Sequence, residues 1–185
     1  MKDAAEIVKK GGIIIFPTDT AFGIGCRIDN HQAVDRLFKI RRRPRTQPMP
    51  VLVSSMQMAL SYYLNPSDVV RRLMKDHWPG ALTIVATCNK NCIDSPIRGG
   101  GTVGIRMPDH STILKIIEEV GVPVLGPSAN FHGDPTPYSI ADLNPELVKL
   151  VDYVVPGECS VRQASTVVDC SVTPYKIIRQ GAVVL

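Results

Sequence analysis

The residues best suited to chemistry form a cationic run from Arg36 to Arg45, with six basic side chains within ten residues. The run contains no acidic residue, and without its six charges the net charge of +4 would become −2. The excess charge is therefore local, which favours one anion site over a uniformly basic coat.

Arg41 and Arg43 alternate just before a proline, where a helix must end. Alternate residues leaving a helix can point into one concavity, and arginine forks match phosphate oxygens. We therefore predict that these two bind an anion. The alternative is a solvated basic helix end that complements the helix dipole. We favour that alternative for Arg36 and Lys39 and leave the other two arginines of the run open.

A second candidate segment begins where the first predicted strand ends and runs from Pro17 to Gly25. It carries Thr18, Asp19 and Thr20, and its two glycines let the backbone approach a ligand closely. The alternative is an ordinary strand–loop connection whose aspartate caps a helix. The glycines do not form a dinucleotide-binding fingerprint, because the third glycine of that pattern is missing.

Three later segments place polar groups at predicted strand ends. Arg106 closes an apolar strand after three glycines, where a charge either meets a partner or snorkels to the surface. Ser128 and Asn130 follow the next strand and offer neutral donors and acceptors, although a turn with a left-handed asparagine is the alternative. Asp169 ends a later strand, and cross-strand pairing is the role that we favour for it.

Other kinds of site are excluded or weak. No Walker loop, nucleophile elbow or serine–histidine–aspartate signature occurs, and the four histidines are dispersed. Cys88 and Cys92 lack a second pair of ligands, so we expect no zinc site. No cluster of carboxylates indicates a two-metal site, and we predict no resident metal.

The chain of 185 residues is long enough to bury a core without disulfides. Its first residues lack a signal-peptide pattern, and no apolar stretch is long enough to span a bilayer. The five cysteines are an odd set. We therefore expect a cytoplasmic protein with free thiols and no contact with a membrane.

Apolar periodicity predicts alternating helices and strands. The predicted helices span residues 4–10, 33–41, 67–76, 111–120 and 141–150, with Asn30 or Asp29 capping the second, Ser111 or Asp109 capping the fourth, and Gly121 ending the fourth. The predicted strands span residues 13–16, 51–53, 81–86, 103–106, 122–125, 153–155, 166–168, 176–178 and 182–184. Early alternation indicates parallel crossovers and the tail indicates antiparallel hairpins. We expect one α/β domain, residues 1–185, with a mixed sheet.

Together these segments resemble the YrdC/TsaC family of threonylcarbamoyl-AMP synthases. Seven family motifs are matched in order over nearly the whole chain, at residues 17–25, 41–44, 78–83, 106–108, 128–130, 165–169 and 179–181. In these the family has Pro-Thr-Asp/Glu-Thr with Gly-x-Gly, Lys-x-Arg-Pro, Trp-Pro-Gly-x-x-Thr, Arg-x-Pro, Ser-x-Asn, Ser-Thr-Val/Ile-Val/Ile-Asp and Arg-x-Gly. Each motif alone is weak, but seven in order are specific.

The resemblance implies a twisted, open α/β sheet with flanking helices around a positively charged cavity. It implies synthesis of threonylcarbamoyl-AMP and pyrophosphate from L-threonine, bicarbonate and ATP, for threonylcarbamoyladenosine modification of tRNA. The implied ATP-binding residues are Arg43, Gln47, Thr102, Ser128, Asn130, Thr136 and Arg179. The implied threonine-binding residues are Thr20, Arg106, Gly126 and Ser165. Arg41 and Arg43 are the expected catalytic residues, and Arg106 is expected to hold the threonine carboxylate or its carbamate.

The implied chemistry needs positioning and charge neutralisation more than a strong base, which suits an arginine-rich site. We expect Mg²⁺ to arrive with the triphosphate. The expected partners are downstream tRNA-modification proteins, with tRNA or double-stranded RNA as a further candidate. Two departures from the family pattern are Arg41 in place of its lysine and Leu52 where some longer relatives have a histidine. We also expect the extra C-terminal domain of those relatives to be missing.

Two rival functions stay open. A carbamoyl-adenylating domain like that of hydrogenase-maturation proteins would use another carbamate, although those proteins carry additional modules. A non-catalytic RNA-binding module would use the cationic run against a phosphate backbone. The loops around that run lack exposed aromatics for base stacking, which argues against the RNA-binding module.

Overall fold

The computed structural model describes residues 2–91 and 93–185. These residues form six α-helices and one 3₁₀ turn at Ile140–Asp142; the helices are α1 (Lys2–Lys9), α2 (His31–Ile40), α3 (Met56–Tyr62), α4 (Asp68–His77), α5 (Ser111–Val120) and α6 (Pro145–Val148). Nine strands accompany them in the described part of the chain: β1 (Ile14–Phe16), β2 (Gly23–Gly25), β3 (Val51–Leu52), β4 (Leu82–Thr87), β5 (Thr102–Arg106), β6 (Val124–Leu125), β7 (Tyr153–Val154), β8 (Thr166–Asp169) and β9 (Lys176–Arg179).

The strands are divided between two mixed sheets, where the sequence predicted one. The smaller sheet has the order β2-β1-β7 and the larger has β6-β3-β5-β4-β8-β9. Parallel pairs join β1 to β7, β3 to β5 and β4 to β8, whereas β8 and β9 are antiparallel as predicted for the tail. The α/β class with mixed sheets and flanking helices is confirmed.

The two sheets meet where β2 lies beside β6. Isolated bridges join Gly23 to Ser128 and Arg27 to Val124. This approach requires a glycine at position 25, because a Cβ there would collide with the carbonyl oxygen of Leu125. The contact brings the loops after β1 and β6 to one place, which is where the polar motifs lie.

The side chains of β1 alternate between the two faces of its sheet, so this short strand contributes to two apolar clusters. Ile15 packs into the larger cluster beneath α2 and α4, whereas Ile14 and Phe16 face a second cluster beneath α1 and α5. Successive strand residues point to opposite faces, so a strand buried on both sides reads as a continuous apolar run.

Helix ends follow local capping chemistry in most cases. Asn30 Oδ1 accepts from the Ala33 N–H at 3.0 Å at the start of α2, as predicted. Gly121 ends α5 with a φ of +79°, also as predicted. The predicted cap of α5 was wrong: the capping position is His110, and no side chain accepts a hydrogen bond from the first turn.

Two predicted elements are not formed as expected. The helix predicted over residues 141–150 is split into the 3₁₀ turn and the short α6, because Asn144 caps a new start at Pro145. The strand predicted over residues 182–184 is instead an irregular segment held by Thr166, whose hydroxyl binds the Gly181 and Val183 main chain. The sequence also failed to predict β2 and α3.

Candidate active site

A cavity of about 190 Å³ lies at the strand ends, next to the contact between the two sheets. Its wall is built from the loop after β1, the end of α2, the ends of β5, β6 and β9, and the residues before β8. Nine of the predicted site residues line it: Thr20, Arg41, Arg43, Arg106, Gly126, Ser128, Thr136, Ser165 and Arg179. Gln47, Thr102 and Asn130 do not line it.

Arg41 is a buried cation of the cavity that is oriented by Asn130. It follows the last turn of α2 and is only 3% exposed. Its Nε donates to the Asn130 main-chain oxygen at 3.1 Å and its Nη2 to Asn130 Oδ1 at 2.8 Å. Its Nη1 is buried and has no hydrogen-bond partner among the residues that the structure describes. Burial, with help from the nearby Arg43 charge, lowers the pKa of Arg41 to about 10.

Asn130 orients Arg41 and is not itself part of the cavity wall. Its side-chain oxygen also accepts from Ser128 Oγ at 2.8 Å, and its Nδ2 donates to the Asp134 carbonyl oxygen at 2.6 Å. Asn130 does not have the left-handed backbone considered as the alternative. The Ser-x-Asn motif therefore fixes the direction of the guanidinium.

Arg43 reaches the same cavity because the intervening residue takes an unusual backbone conformation. Arg42 has a φ of +53°, and its guanidinium lies 4.1 Å from the centroid of the Phe131 ring. Arg43 Nε and Nη2 donate to the main-chain oxygens of Gln47 and Pro48, at 3.1 and 2.8 Å. Burial lowers the pKa of Arg43 as well. The prediction that Arg41 and Arg43 point into one concavity is confirmed.

Arg106 is neither snorkelling nor exposed, because it forms a buried ion pair. Its Nη2 binds Asp19 Oδ1, its Nη1 donates to Thr20 Oγ1 at 2.6 Å, and its Nε donates to the Gly80 carbonyl oxygen at 2.9 Å. Burial lowers the pKa of Arg106, and the Asp19 charge opposes this effect. Asp19 therefore does not cap a helix, the alternative considered from sequence.

Arg179, the fourth arginine of the cavity wall, is hydrogen-bonded to Ser165, whose hydroxyl contacts that of Thr83. Arg179 Nε and Nη2 donate to the Ser165 carbonyl oxygen, and Nη2 also donates to Ser165 Oγ at 3.0 Å. Ser165 Oγ lies 2.9 Å from Thr83 Oγ1. Burial lowers the pKa of Arg179. The sequence prediction had not named Thr83 or Thr18 as site residues, although both belong to recognised motifs and line the cavity.

The apolar part of the wall is narrow and close-packed. Leu52 lines the cavity and presses against Gly126 so closely that a Cβ on this glycine would collide with the leucine side chain. Leu52 is buried and belongs to the second apolar cluster. Gly126 is thus required by packing at this point of the wall.

The other predicted residues are not part of the cavity wall. Thr102 begins β5, and its hydroxyl donates to the Gly99 carbonyl oxygen at 3.1 Å. Gln47 is tied to Arg43 through its main chain. Asp169 lies opposite Lys176 in the register of β8 and β9, whereas its carboxylate accepts hydrogen bonds from the Ser171 N–H at 2.9 Å and from the Ser171 hydroxyl at 2.6 Å.

Most of the other basic side chains of the cationic run contact groups of the protein itself. Arg36 is exposed on α2, as expected, and forms a surface ion pair with Asp152 at 2.6 Å. Arg45 pairs with Asp35 on the surface. Lys39 is exposed, as expected. The run therefore divides into two cavity arginines and several structural ones.

The profile of the Sua5/YciO/YrdC family, described as "Telomere recombination", matches residues 6–181. The chain belongs to the Sua5/YciO/YrdC family. It is 31% identical over 185 residues to the threonylcarbamoyl-AMP synthase of Bacillus subtilis. This alignment covers 97% of the chain and 53% of the relative. It is 28% identical to the uncharacterized protein YciO of Escherichia coli over 183 residues, 98% of this chain and 88% of the relative.

Solved Sua5/YciO/YrdC structures share the fold. Pyrococcus abyssi Sua5 in complex with L-threonine matches with a TM-score of 0.89 at 30% identity, over 97% of this chain and 53% of that one. Escherichia coli YciO matches with a TM-score of 0.83 at 27% identity, over 97% of this chain and 87% of that one. The chain spans about half the length of the first two threonylcarbamoyl-AMP synthases that it matches.

The described residues contain no group of three or more histidine, cysteine, aspartate or glutamate side chains placed to hold a metal ion. Cys92, one of the two closely spaced cysteines considered for zinc, lies outside the described residues. The other four cysteines are free. In residues 2–91 and 93–185 no helix combines the length and apolar character needed to cross a bilayer.

Proposed function

We propose that this chain is a nucleotidyltransferase that makes threonylcarbamoyl-AMP and pyrophosphate from L-threonine, bicarbonate and ATP. The observation that carries the proposal is the buried Arg41 guanidinium, whose Nη1 has no partner among the described residues, in a cavity also lined by Arg43, Arg106 and Arg179. Such charges are costly to bury unless an anion completes the site. Relatives named threonylcarbamoyl-AMP synthase support the choice of reaction.

The proposed reaction has two bond-forming steps. The threonine amine first combines with bicarbonate, with loss of water, to give an N-carboxy species. A carboxylate oxygen of this species then attacks the α-phosphorus of ATP, and the bond to the β-phosphate bridging oxygen breaks to release pyrophosphate. Negative charge develops on the phosphates, so fixed cations and correct alignment supply the catalysis. No histidine lines the cavity, which agrees with that requirement.

We assign Arg41 and Arg43 to the phosphates and to the charge that develops there. The cavity is smaller than the roughly 300–1,000 Å³ of a typical ligand pocket. We therefore place only the reacting end of the substrates inside it, with the rest of the nucleotide along the outer wall. The proposed nucleotide contacts are Gln47, Thr102, Ser128, Asn130, Thr136 and Arg179, and the proposed surroundings of the amino acid are Thr20, Arg106, Gly126 and Ser165.

Magnesium belongs to the nucleotide substrate in this proposal. The side chains that line the cavity include four arginines and no carboxylate, and Mg²⁺ prefers carboxylate and phosphate oxygens. The cavity therefore does not fit a resident divalent cation. Mg²⁺ would be held by the triphosphate oxygens.

The geometry favours this enzyme over a non-catalytic RNA-binding module. An RNA site needs several cations free to face phosphates, but Arg36 and Arg45 are paired with acids, and Arg41 and Arg43 line the cavity. We propose that the product goes to downstream tRNA-modification proteins, and that any contact with tRNA or double-stranded RNA uses other surfaces.

The test is pyrophosphate release from ATP by the purified chain, with threonine and bicarbonate each omitted in turn. We expect release only when both are present, and a product with the mass of threonylcarbamoyl-AMP. Carbamoyl phosphate in place of threonine and bicarbonate tests the other adenylating reaction. Release with carbamoyl phosphate alone, or no threonine-dependent release, overturns the proposal.

A further inference from the structure

Helix α2 ends in a Schellman motif that has an arginine at the position where glycine is usual. The Arg42 N–H donates to the Lys39 carbonyl oxygen and the Arg43 N–H donates to the Phe38 carbonyl oxygen, both at 3.0 Å. This pair of bonds needs a left-handed residue at position 42, and Arg42 has a φ of +53°. Residues with a Cβ rarely adopt this conformation, so neighbouring groups must hold Arg42 in it.

The ring of Phe131 is the neighbour that meets the Arg42 side chain. Phe131 is 6% exposed and belongs to the larger apolar cluster, which fixes its ring. The exposed Arg42 places its guanidinium 4.1 Å from the ring centroid, within the range of a cation–π interaction. The next residue, His132, donates its main-chain N–H to the Arg41 carbonyl oxygen at 2.8 Å. Residues 131 and 132 therefore hold the turn through both side chain and main chain.

The backbone conformation of Arg42 decides where its two neighbours point. Arg42 does not line the cavity, whereas Arg41 and Arg43 do. If residue 42 were right-handed, the helix would continue, and successive side chains of a helix are about 100° apart around its axis. Side chains at positions 41 and 43 would then be about 200° apart and could not face one cavity.

We propose that Phe131 and Arg42 are positioning residues for the anion site. The stack of Arg42 on Phe131 keeps residue 42 left-handed, and this turn aims Arg41 and Arg43 together at an anion that neither Phe131 nor Arg42 touches. Calling that anion the phosphate chain of a nucleotide rests on the proposed function.

Two substitutions of Arg42 separate its backbone from its charge, with isothermal titration calorimetry of inorganic pyrophosphate as the measurement. Arg42→Gly and Arg42→Val both remove the guanidinium and its stack. Glycine adopts a positive φ without help, whereas a β-branched residue strongly resists it. We expect Arg42→Gly to bind pyrophosphate within about threefold of the wild type, and Arg42→Val to bind at least about tenfold more weakly than Arg42→Gly.

Removal of the ring tests the stack itself. Phe131→Leu keeps an apolar side chain in the cluster, and we expect it to weaken pyrophosphate binding by about three- to tenfold. In the Arg42→Gly background, where the turn needs no stack, the same change should alter the affinity by less than about twofold. Phe38→Leu is the matched control, because Phe38 is a buried ring of the same cluster that lies 5.8 Å from the Arg45 guanidinium. That control should keep the wild-type affinity.

Equal pyrophosphate affinity in Arg42→Gly and Arg42→Val overturns the inference, because the left-handed turn would then not matter. A folded Phe131→Leu protein with wild-type affinity, or an equal loss of affinity in Phe38→Leu, overturns it as well. If Phe131→Leu does not melt cooperatively, the comparison of the two Arg42 variants decides. These results leave the proposed function intact as long as the wild type releases pyrophosphate in a threonine-dependent way. A wild type that binds no pyrophosphate overturns the anion assignment of the proposed function, and this inference with it.

Discussion

Replacing Arg41 with methionine tests whether the cavity is built for an anion at the expense of stability. Methionine keeps most of the volume of the side chain and removes its charge. Arg41 is 3% exposed, and within residues 2–91 and 93–185 its Nη1 has no hydrogen-bond partner. We expect the ligand-free variant to be as stable as the wild type or more stable, which is unusual for removal of a buried side chain that makes two hydrogen bonds.

The magnitude follows from two opposing effects. Burial lowers the pKa of Arg41 from its ordinary value to about 10, and at about 1.4 kcal/mol per pH unit the buried charge costs about 3 kcal/mol. The variant loses the bond to the Asn130 main-chain oxygen, which costs about 1–3 kcal/mol, whereas Asn130 Oδ1 keeps its bond from Ser128. The free energy of unfolding should therefore rise by between zero and about 2 kcal/mol.

Denaturant unfolding at pH 7, with and without inorganic pyrophosphate, measures both parts of the argument. Pyrophosphate at 100 times its Kd should stabilise the wild type by about 2.7 kcal/mol, and this gain should be lost in Arg41→Met. Arg27→Met is the matched control, because Arg27 binds Asp29 and the Lys9 carbonyl oxygen away from the cavity. That control should be destabilised and should keep its response to pyrophosphate.

The sign of the change decides the outcome. The lowered pKa of Arg41 predicts that the cost in stability is fully present below pH 10 and is relieved as the pH rises above that value, because the folded state binds the proton less tightly than the unfolded chain. A loss of more than about 2 kcal/mol in Arg41→Met would refute the reasoning. An unchanged response to pyrophosphate in this variant would refute it as well.

Three other changes have defined outcomes. Arg43→Ala should lower threonine-dependent pyrophosphate release between several-fold and orders of magnitude, whereas the exposed Arg45→Ala should leave it within about twofold; near-normal turnover of Arg43→Ala sinks its assignment. Gly126→Ala should push Leu52 into the cavity. We expect a clear rise in the KM for threonine with only a small fall in the melting temperature, and an unchanged KM in steady-state kinetics would contradict this. An ion pair with Arg36 and a main-chain N–H lower the pKa of Asp152, so the stability that this carboxylate contributes is lost as the pH falls below about 4. Asp152→Asn should therefore make the free energy of unfolding fall less steeply at acid pH. An unchanged slope counts against this prediction.

Local sequence was sufficient for elements whose neighbours in the chain decide their structure. Asn30 and Gly121 marked helix ends correctly because capping depends on groups within one turn. The prediction failed where distant groups decide. The strand Gly23–Gly25 has weak intrinsic preference and forms because β1 and the main chain around Pro127 supply its hydrogen bonds.

The candidate site shows the same division. The alternation of Arg41 and Arg43 before a proline indicated an anion site, and the tertiary structure places both on one cavity. The sequence could not show that Asn130 aims Arg41, or that Asp19 neutralises Arg106, because these partners lie 89 and 87 residues apart in the chain.

The sequence by itself determined the α/β class, the family resemblance and the residue types that gather at strand ends, since these depend on composition, periodicity and motif order. Only the tertiary structure decided which of the clustered charges face the cavity and which are paired elsewhere. The reason is physical: whether a guanidinium is available to a ligand depends on its burial and its partners. Both are set by chain segments that meet only when the two sheets come together.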